Sequence, residues 1–246
     1  MGLRLDKYLS LCGKASRSDT ARAVRRGEIT VGGQVVRRGD HPIDPDTDQV
    51  VFRGEVVVYR PYTYVMLHKP DGVVSATEDR LAGEKTVLDL LPPELTRLRP
   101  GLFPCGRLDK HTTGLMLLTN NGQLAHRLLS PARHVDKTYA FTVKFPLSGE
   151  DVAALESGVD IGDYTTAPCR VELTDDGRKA GVITIREGKY HQIKRMMEVR
   201  HNQIRSLSRL TFGSLTLDPT LEPGQWRLLQ DTEIAALEAV GNEKNQ

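Results

Sequence analysis

The chain is poor in the residues that build metal or disulfide frameworks. Its three cysteines, Cys12, Cys105 and Cys169, lie far apart, and no C-x-x-C occurs. That pattern speaks against a zinc ribbon and against a disulfide-stapled scaffold. The seven histidines lack the H-E-x-x-H or H-x-x-x-H spacing that sets two imidazoles on one helix face. No metal site is expected. No apolar stretch approaches the ~20 residues of a membrane span. The first residues also lack the apolar core of a secretory signal, so the cytoplasm is the expected compartment. There is no internal repeat, no low-complexity tract and no G-x-G-x-x-G turn for a nucleotide cofactor.

What is present is uneven. The 246 residues allow one or two domains, enough for a sizeable core. The formal net charge of +2 hides an asymmetry. Residues 1–38 hold nine Lys or Arg against three acids, a local +6, which leaves −4 for the remainder. A basic module on a near-neutral body favours a polyanionic partner. Its alternative is a solvated, charge-rich helical face.

That basic segment reads as helix, helix, hairpin. Leu3, Leu5, Tyr8, Leu9 and Leu11 mark an apolar face ending near Gly13. Ser16 or Ser18 can cap a second helix over Thr20–Arg26, which stops at Gly27. Ile29–Val31 and Gln34–Val36 flank a Gly32-Gly33 turn. Residues 40–48 read as a loop, Val50–Tyr59 as a strand pair, and Arg60-Pro61 as the boundary. From Tyr62 onward, strands and helices mix without βαβ alternation. The segments are a strand at Tyr64–Leu67, a further strand at Val73–Ser75, a short helix at Thr86–Leu91, helices after Gly122 and Ser148, strands at Thr138–Phe145, Val171–Leu173 and Val182–Ile185, and a basic helix at His191–Val199. The expectation is an α+β fold: a small N-terminal module, then a domain with a mixed, largely antiparallel sheet flanked by helices. Residues 236–246 read as a partly disordered tail.

One stretch asks for chemistry. Gly106-Arg107-Leu108-Asp109-Lys110-His111-Thr112-Thr113-Gly114 places one carboxylate on a glycine-flanked loop before an apolar strand. By itself, Asp109 with Arg107 reads as a structural pair in a turn. Tyr139, among alternating apolar neighbours, reads as core. Lys194-Arg195 reads as a solvated helix face.

Taken together, the motifs point elsewhere. Arg4-Leu5-Asp6-Lys7-Tyr8-Leu9, Ser16-Arg17-Ser18 and Arg25-Arg26-Gly27-Glu28-Ile29-Thr30-Val31-Gly32-Gly33 resemble the alpha-L RNA-binding domain over about residues 1–60. The resemblance implies that Lys7, Lys14, Arg17, Arg22, Arg25 and Arg26 face phosphates. Over residues 62–235, Leu67-His68-Lys69-Pro70-Asp71-Gly72, the Arg107–Leu115 motif, Lys137-Thr138-Tyr139 and Glu187-Gly188-Lys189-Tyr190-His191-Gln192-Ile193-Lys194-Arg195-Met196 resemble the RsuA-type pseudouridine synthases of bacterial ribosomal RNA.

That family breaks the glycosidic bond of a uridine, turns the base and rejoins it through carbon. The resemblance implies Asp109 as an ionised nucleophile attacking sugar or base, with Lys194 as its basic partner. It implies Tyr139 as stacking ring and proton-transfer hydroxyl. Arg107 would bind phosphate or hold the place of the flipped nucleotide, and Ile193 would pack on the base. His68-Lys69 would support the site, His191 would cap its helix or touch phosphate, and Arg133, His134 and Lys137 would extend the RNA surface. No cofactor is implied. The implied partner is ribosomal RNA or a pre-ribosomal particle, met by a monomer. The Lys137-Thr138-Tyr139 and Tyr190–Met196 forms point to 16S RNA, with 23S RNA as the alternative. An RNA methyltransferase would need the missing glycine-rich turn; a non-catalytic assembly factor would not need Asp109, Tyr139 and Lys194 intact.

Overall fold

The computed structural model describes all residues except 1, 46, 60, 79–82, 131, 132, 134 and 243–246. Residues 60 and 134, named above, lie outside that set. The chain divides into two units, Met1–Thr63 with Leu91–Leu102, and Tyr64–Leu90 with Phe103–Gln246. The sequence boundary at 60–61 lies close to the first division. Residues 91–102, read as part of the second domain, group with the first instead. Leu98 and Leu102 are buried there, an apolar need that the Pro92-Pro93 punctuation does not reveal.

In the first unit β1 (Leu3–Arg4) leads into α1 (Leu5–Leu11) and α2 (Arg17–Arg26). Ser16 caps α2 through a capping box with Asp19, and Gly27 ends it in the left-handed conformation that glycine tolerates. Strands β2 (Ile29–Val31), β3 (Gln34–Val35), β5 (Val50–Phe52) and β6 (Glu55–Val57) form an antiparallel sheet in the order β3-β2-β5-β6. The expected 40–48 loop contains β4 (Pro42–Ile43), which pairs with β1. Leu5, Tyr8, Leu9, Val24, Ile29 and Val50 make the core.

The second unit is built on a sheet in the order β11-β12-β10-β13-β9-β7-β15. Its members are β7 (Tyr64–Lys69), β9 (Thr113–Thr119), β10 (Lys137–Val143), β11 (Arg170–Leu173), β12 (Ala180–Ile185), β13 (Ile204–Phe212) and β15 (Trp226–Leu228), with β8 (Phe103–Pro104) on β9 and β14 (Leu215–Thr216) on β13. Helices α4 (Gly122–Leu129), α5 (Gly149–Ser157), α6 (Gln192–Val199) and α7 (Asp231–Asn242) accompany it; α3 (Pro93–Thr96) belongs to the first unit. Every ladder is antiparallel except β9 with β13. That parallel joint pairs Thr113 with Ser208 and Gly114 with Arg209. The arrangement is the expected α+β fold with a mixed, largely antiparallel sheet.

Three local readings need correction. Val73–Ser75 is not a strand; Val74 makes one isolated bridge to Thr86. The Thr86–Leu91 helix shrinks to a 3₁₀ turn at Leu88–Leu90, with Asp89 accepting from Thr86 N at 2.8 Å. The supposed tail is helical to Asn242, because Ile234, Leu237 and Val240 pack on the core of Tyr64, Met66, Leu115, Leu117 and Phe212.

Candidate active site

Asp109 sits on the loop that enters β9, and two neighbouring side chains fix that loop. Ser75 Oγ accepts from Leu108 N at 3.0 Å and donates to Leu108 O at 2.7 Å. From beneath, the fully buried Lys69 donates to the carbonyls of Pro70 (3.2 Å), Lys110 (3.1 Å) and Thr112 (2.9 Å). Thr112 N closes the turn onto Asp109 O at 3.0 Å. Burial lowers the Lys69 ammonium to about 8, against an opposing pull from Asp71 and Asp109. A support role for Lys69 is legible in its motif. That of Ser75 is not, since an isolated serine in a Val-Val-Ser run carries no sequence signal.

Where the loop becomes strand, Gly114 has φ +99°, and an added Cβ would lie 2.3 Å from Arg209 O. The β13 backbone therefore approaches as closely as it does only because residue 114 has no side chain.

The opposite wall comes from α6. Lys194 Nζ lies 2.8 Å from Asp109 Oδ2, and His191 Nε2 lies 3.5 Å from Oδ1. His191 begins α6 with φ 50° and makes no side-chain cap bond. His191 thus stands at the N-cap position without capping through its side chain, and its ring faces the carboxylate and stacks on the exposed Tyr190 at 3.9 Å between centroids. The approach to α6 is held by Glu187, whose Oε2 accepts from Ala167 N (3.2 Å) and Gln192 Nε2 (2.8 Å).

Tyr139 comes from β10, between Ile183 on β12 and Arg209 on β13. Its ring is buried, and among the described residues its hydroxyl has no hydrogen-bond partner. One cleft is lined by Arg107, Asp109, Tyr139, Ile193 and Lys194 together, with His191 and Leu207. Residues from positions 107 to 194 thus converge on one place. Arg107 is exposed and has no ion-pair or hydrogen-bond partner among the described residues. Chemically the cleft offers one carboxylate against an ammonium, one unengaged phenol and an apolar wall. That set suits nucleophilic attack with proton transfer. No cluster of three or more His, Cys, Asp or Glu among the described residues could hold a metal ion.

The basic residues of the first unit are distributed more loosely. Lys7 and Arg17 are exposed without ion pairs among the described residues, and Arg25 Nε donates to Ala21 O at 3.0 Å. Lys14 pairs with Glu55 at 3.1 Å, Arg26 with Glu28 at 3.6 Å, and Arg22 with Asp19. Such exposed pairs are weak and can exchange for phosphate. Lys137 of the expected RNA surface is instead buried, donating to Val135 O at 2.9 Å. No helix among the described residues is long and apolar enough to cross a membrane.

Comparison with known proteins supplies the family. Residues 63–199 match the RNA pseudouridylate synthase family and residues 3–50 match the S4 domain. An uncharacterized RNA pseudouridine synthase, YtzG, of Bacillus subtilis is 46% identical over 96% of this chain and 98% of its own length. The ribosomal small subunit pseudouridine synthase A of Pseudomonas aeruginosa is 39% identical over 96% of this chain and 100% of its own. A crystal structure of a pseudouridylate synthase superposes with TM-score 0.65 at 34% identity, covering 96% of this chain and 99% of that one. With motif, fold and cleft in agreement, this chain belongs to the RNA pseudouridylate synthase family and carries an S4 domain at its N-terminal end.

Proposed function

We propose that the protein isomerises a specific uridine to pseudouridine in ribosomal RNA, and that the RNA is the 16S species of the small subunit. The carrying observation is Asp109 held 2.8 Å from Lys194 in a cleft that also exposes Tyr139 and Arg107. The reaction breaks the N1–C1′ bond, turns the uracil and joins C5 to C1′. A proton leaves C5 and one is taken up at N1. Asp109 is the nucleophile, at the sugar or at the base, and the Lys194 ammonium faces its charge. Tyr139 stacks on the uracil and moves a proton through its hydroxyl, which has no competing partner among the described residues. Ile193 packs on the base, and Arg107 takes a phosphate or the vacated place in the stack. A base within a helix cannot reach Asp109, so the uridine is flipped out.

The name of the Pseudomonas relative supports the small-subunit target, as do the Lys137-Thr138-Tyr139 and Tyr190–Met196 motif forms. Residues 1–60 supply affinity through Lys7, Lys14, Arg17, Arg22, Arg25 and Arg26, and residues 62–235 supply chemistry. The protein works in the cytoplasm as a monomer on ribosomal RNA or a pre-ribosomal particle. Asp109→Asn tests the mechanism. It should fold and bind RNA like the parent but form no pseudouridine, since an amide is not a comparable nucleophile. Appreciable turnover would remove Asp109 from the mechanism. Pseudouridine mapping of both ribosomal RNAs from a strain lacking the gene tests the target.

A further inference from the structure

A second cavity of about 360 Å³ lies beside Tyr139, lined by loops and by β10 and β13, and shares Arg107, Tyr139, Gly188 and Lys189 with the Asp109 cleft. It lies within the usual range for small-ligand sites, about 300–1,000 Å³. Among the described residues its charge is lopsided: Arg107, Lys137, Arg186, Lys189 and Arg209 line it against one acid, Glu187. That acid is engaged with Ala167 N and Gln192 Nε2. Of the cations, only Arg186 has a carboxylate among the described residues, Asp136 at 2.8 Å.

Two of the cations are buried. Arg209 is 2% exposed and Lys137 9%. Arg209 Nε donates to Leu115 O at 2.7 Å, and Nη2 reaches only the Met116 sulfur at 4.0 Å. The rest of its fork has no oxygen partner among the described residues. Lys137 Nζ donates to Val135 O alone among them. Both cations lie against the Phe212 ring, at 5.1 and 5.7 Å from its centroid. A buried cation without a carboxylate is expensive, and two facing one cavity are more so. Burial and the neighbouring Arg209 lower the Lys137 ammonium to about 8. A planar guanidinium with free donors beside an ammonium matches the oxygens of a phosphate group.

We propose that this cavity is an anion site that receives a backbone phosphodiester of the RNA strand beside the target uridine, held by Arg209 and Lys137. The assignment to RNA rests on the isomerase reading of the adjoining cleft; the anion site itself does not.

The test has two arms. In the first, thermal unfolding of the full chain is followed with inorganic phosphate against chloride at matched ionic strength. Saturable stabilisation is expected, roughly 5–10 °C at a hundredfold excess over the dissociation constant. Lys137→Met should abolish it, and the exposed-site variant Lys189→Gln should weaken phosphate affinity severalfold with the fold intact. A general salt effect would act alike on all three proteins, and equal responses overturn the site. In the second arm, single methylphosphonates replace the phosphates flanking the modified uridine in an rRNA fragment. One position should lower kcat/KM at least tenfold in the parent and have no further effect in Lys137→Met. Phosphate binding without a sensitive position would make free phosphate the ligand and overturn the backbone assignment. Absence of any pseudouridine formation would instead overturn the isomerase reading, while the first arm still reports on the cavity.

Discussion

Replacing Lys69 with methionine keeps a chain of similar length and removes the ammonium beneath the Asp109 loop. Two opposing effects set the stability change. Burial lowers the Lys69 pKa from 10.5 to about 8. At 1.36 kcal/mol per unit, lifting that buried charge returns about 3 kcal/mol. Against this, the carbonyls of Pro70, Lys110 and Thr112 lose a donor, although Lys110 O keeps its bond from Gly72 N at 3.0 Å. Two orphaned carbonyls cost roughly 2–6 kcal/mol. The two effects largely cancel, so the unfolding temperature should move by only a few degrees. Activity should not be spared. The ammonium ties residues on either side of the Asp109–Thr112 turn, and if Asp109 is the reacting group, as proposed, a shift of about 1 Å there can cost about a hundredfold in rate. Unfolding and single-turnover kinetics, measured side by side, check this. A pH arm isolates the charge. Between pH about 8 and 10.5 folded Lys69 is neutral while unfolded Lys69 still holds its proton. Parental stability therefore rises with pH relative to Lys69→Met, by about 3 kcal/mol across the window, and falls back as pH drops through 8. Lys137 titrates near the same pH but is present in both proteins and cancels. A flat difference across that window, or full activity in the folded variant, would refute the reasoning.

Tyr139→Phe should leave stability within about 0.5 kcal/mol, because the hydroxyl has no partner to lose among the described residues. Its turnover should fall about 10²–10⁴-fold if the phenol moves a proton, as rapid-quench assays of pseudouridine formation would read. Gly114→Ala places a methyl 2.3 Å from Arg209 O at φ +99° and should cost roughly 2–5 kcal/mol in denaturant unfolding; an unperturbed midpoint would contradict the close β9–β13 approach. Lys7→Gln with Arg17→Gln should weaken RNA binding and lower the slope of log K against log salt by about 0.7 for each phosphate no longer neutralised, with kcat at saturating RNA unchanged. An unchanged slope would remove both residues from the RNA surface.

How much of this was legible depends on the range of the interaction. Of the two caps the sequence offers for the second helix, Ser16 is the one used, in a capping box with Asp19 that starts α2 at Arg17, and Ser148 caps α5 in a box with Asp151. The alternating strand read over Thr138–Phe145 is β10 over Lys137–Val143, with Tyr139 on its buried face as its alternation implies. The Asp109, Tyr139 and Lys194 motifs were visible, but their meeting was not a property of any local pattern. It was expected only through resemblance. The misses are long-range. Residues 91–102, placed by sequence within the second domain, group with the first unit. Residues 236–242 read as tail because Gly241 and the polar end outweighed Ile234, Leu237 and Val240. Nothing in Ser206–Phe212 signals that Arg209 is buried or that it pairs with a glycine.

The parallel joint explains why the site is where it is. An all-antiparallel sheet would run β9 and β13 in opposite directions, and the loop before β9 would then meet the far end of β13. Pairing them in parallel, Thr113 to Ser208 and Gly114 to Arg209, keeps the start of β9 against the middle of β13. Since β10 lies on the other side of β13, with Tyr139 opposite Arg209, three strands set Gly114, Arg209 and Tyr139 in one row. The Asp109 loop then opens beside Tyr139, and α6, which immediately precedes β13, brings Lys194 back over it. Gly114 is thus more than a flexible link. It removes the side chain that would hold β13 away, and with it the separation that would part the carboxylate from the phenol. The same row exposes the donors of Arg209 to the cavity beside Tyr139. The geometry that brings Asp109, Tyr139 and Lys194 into one cleft also leaves a buried positive charge beside it, and an enzyme acting on a polyanion can satisfy that charge with its own substrate.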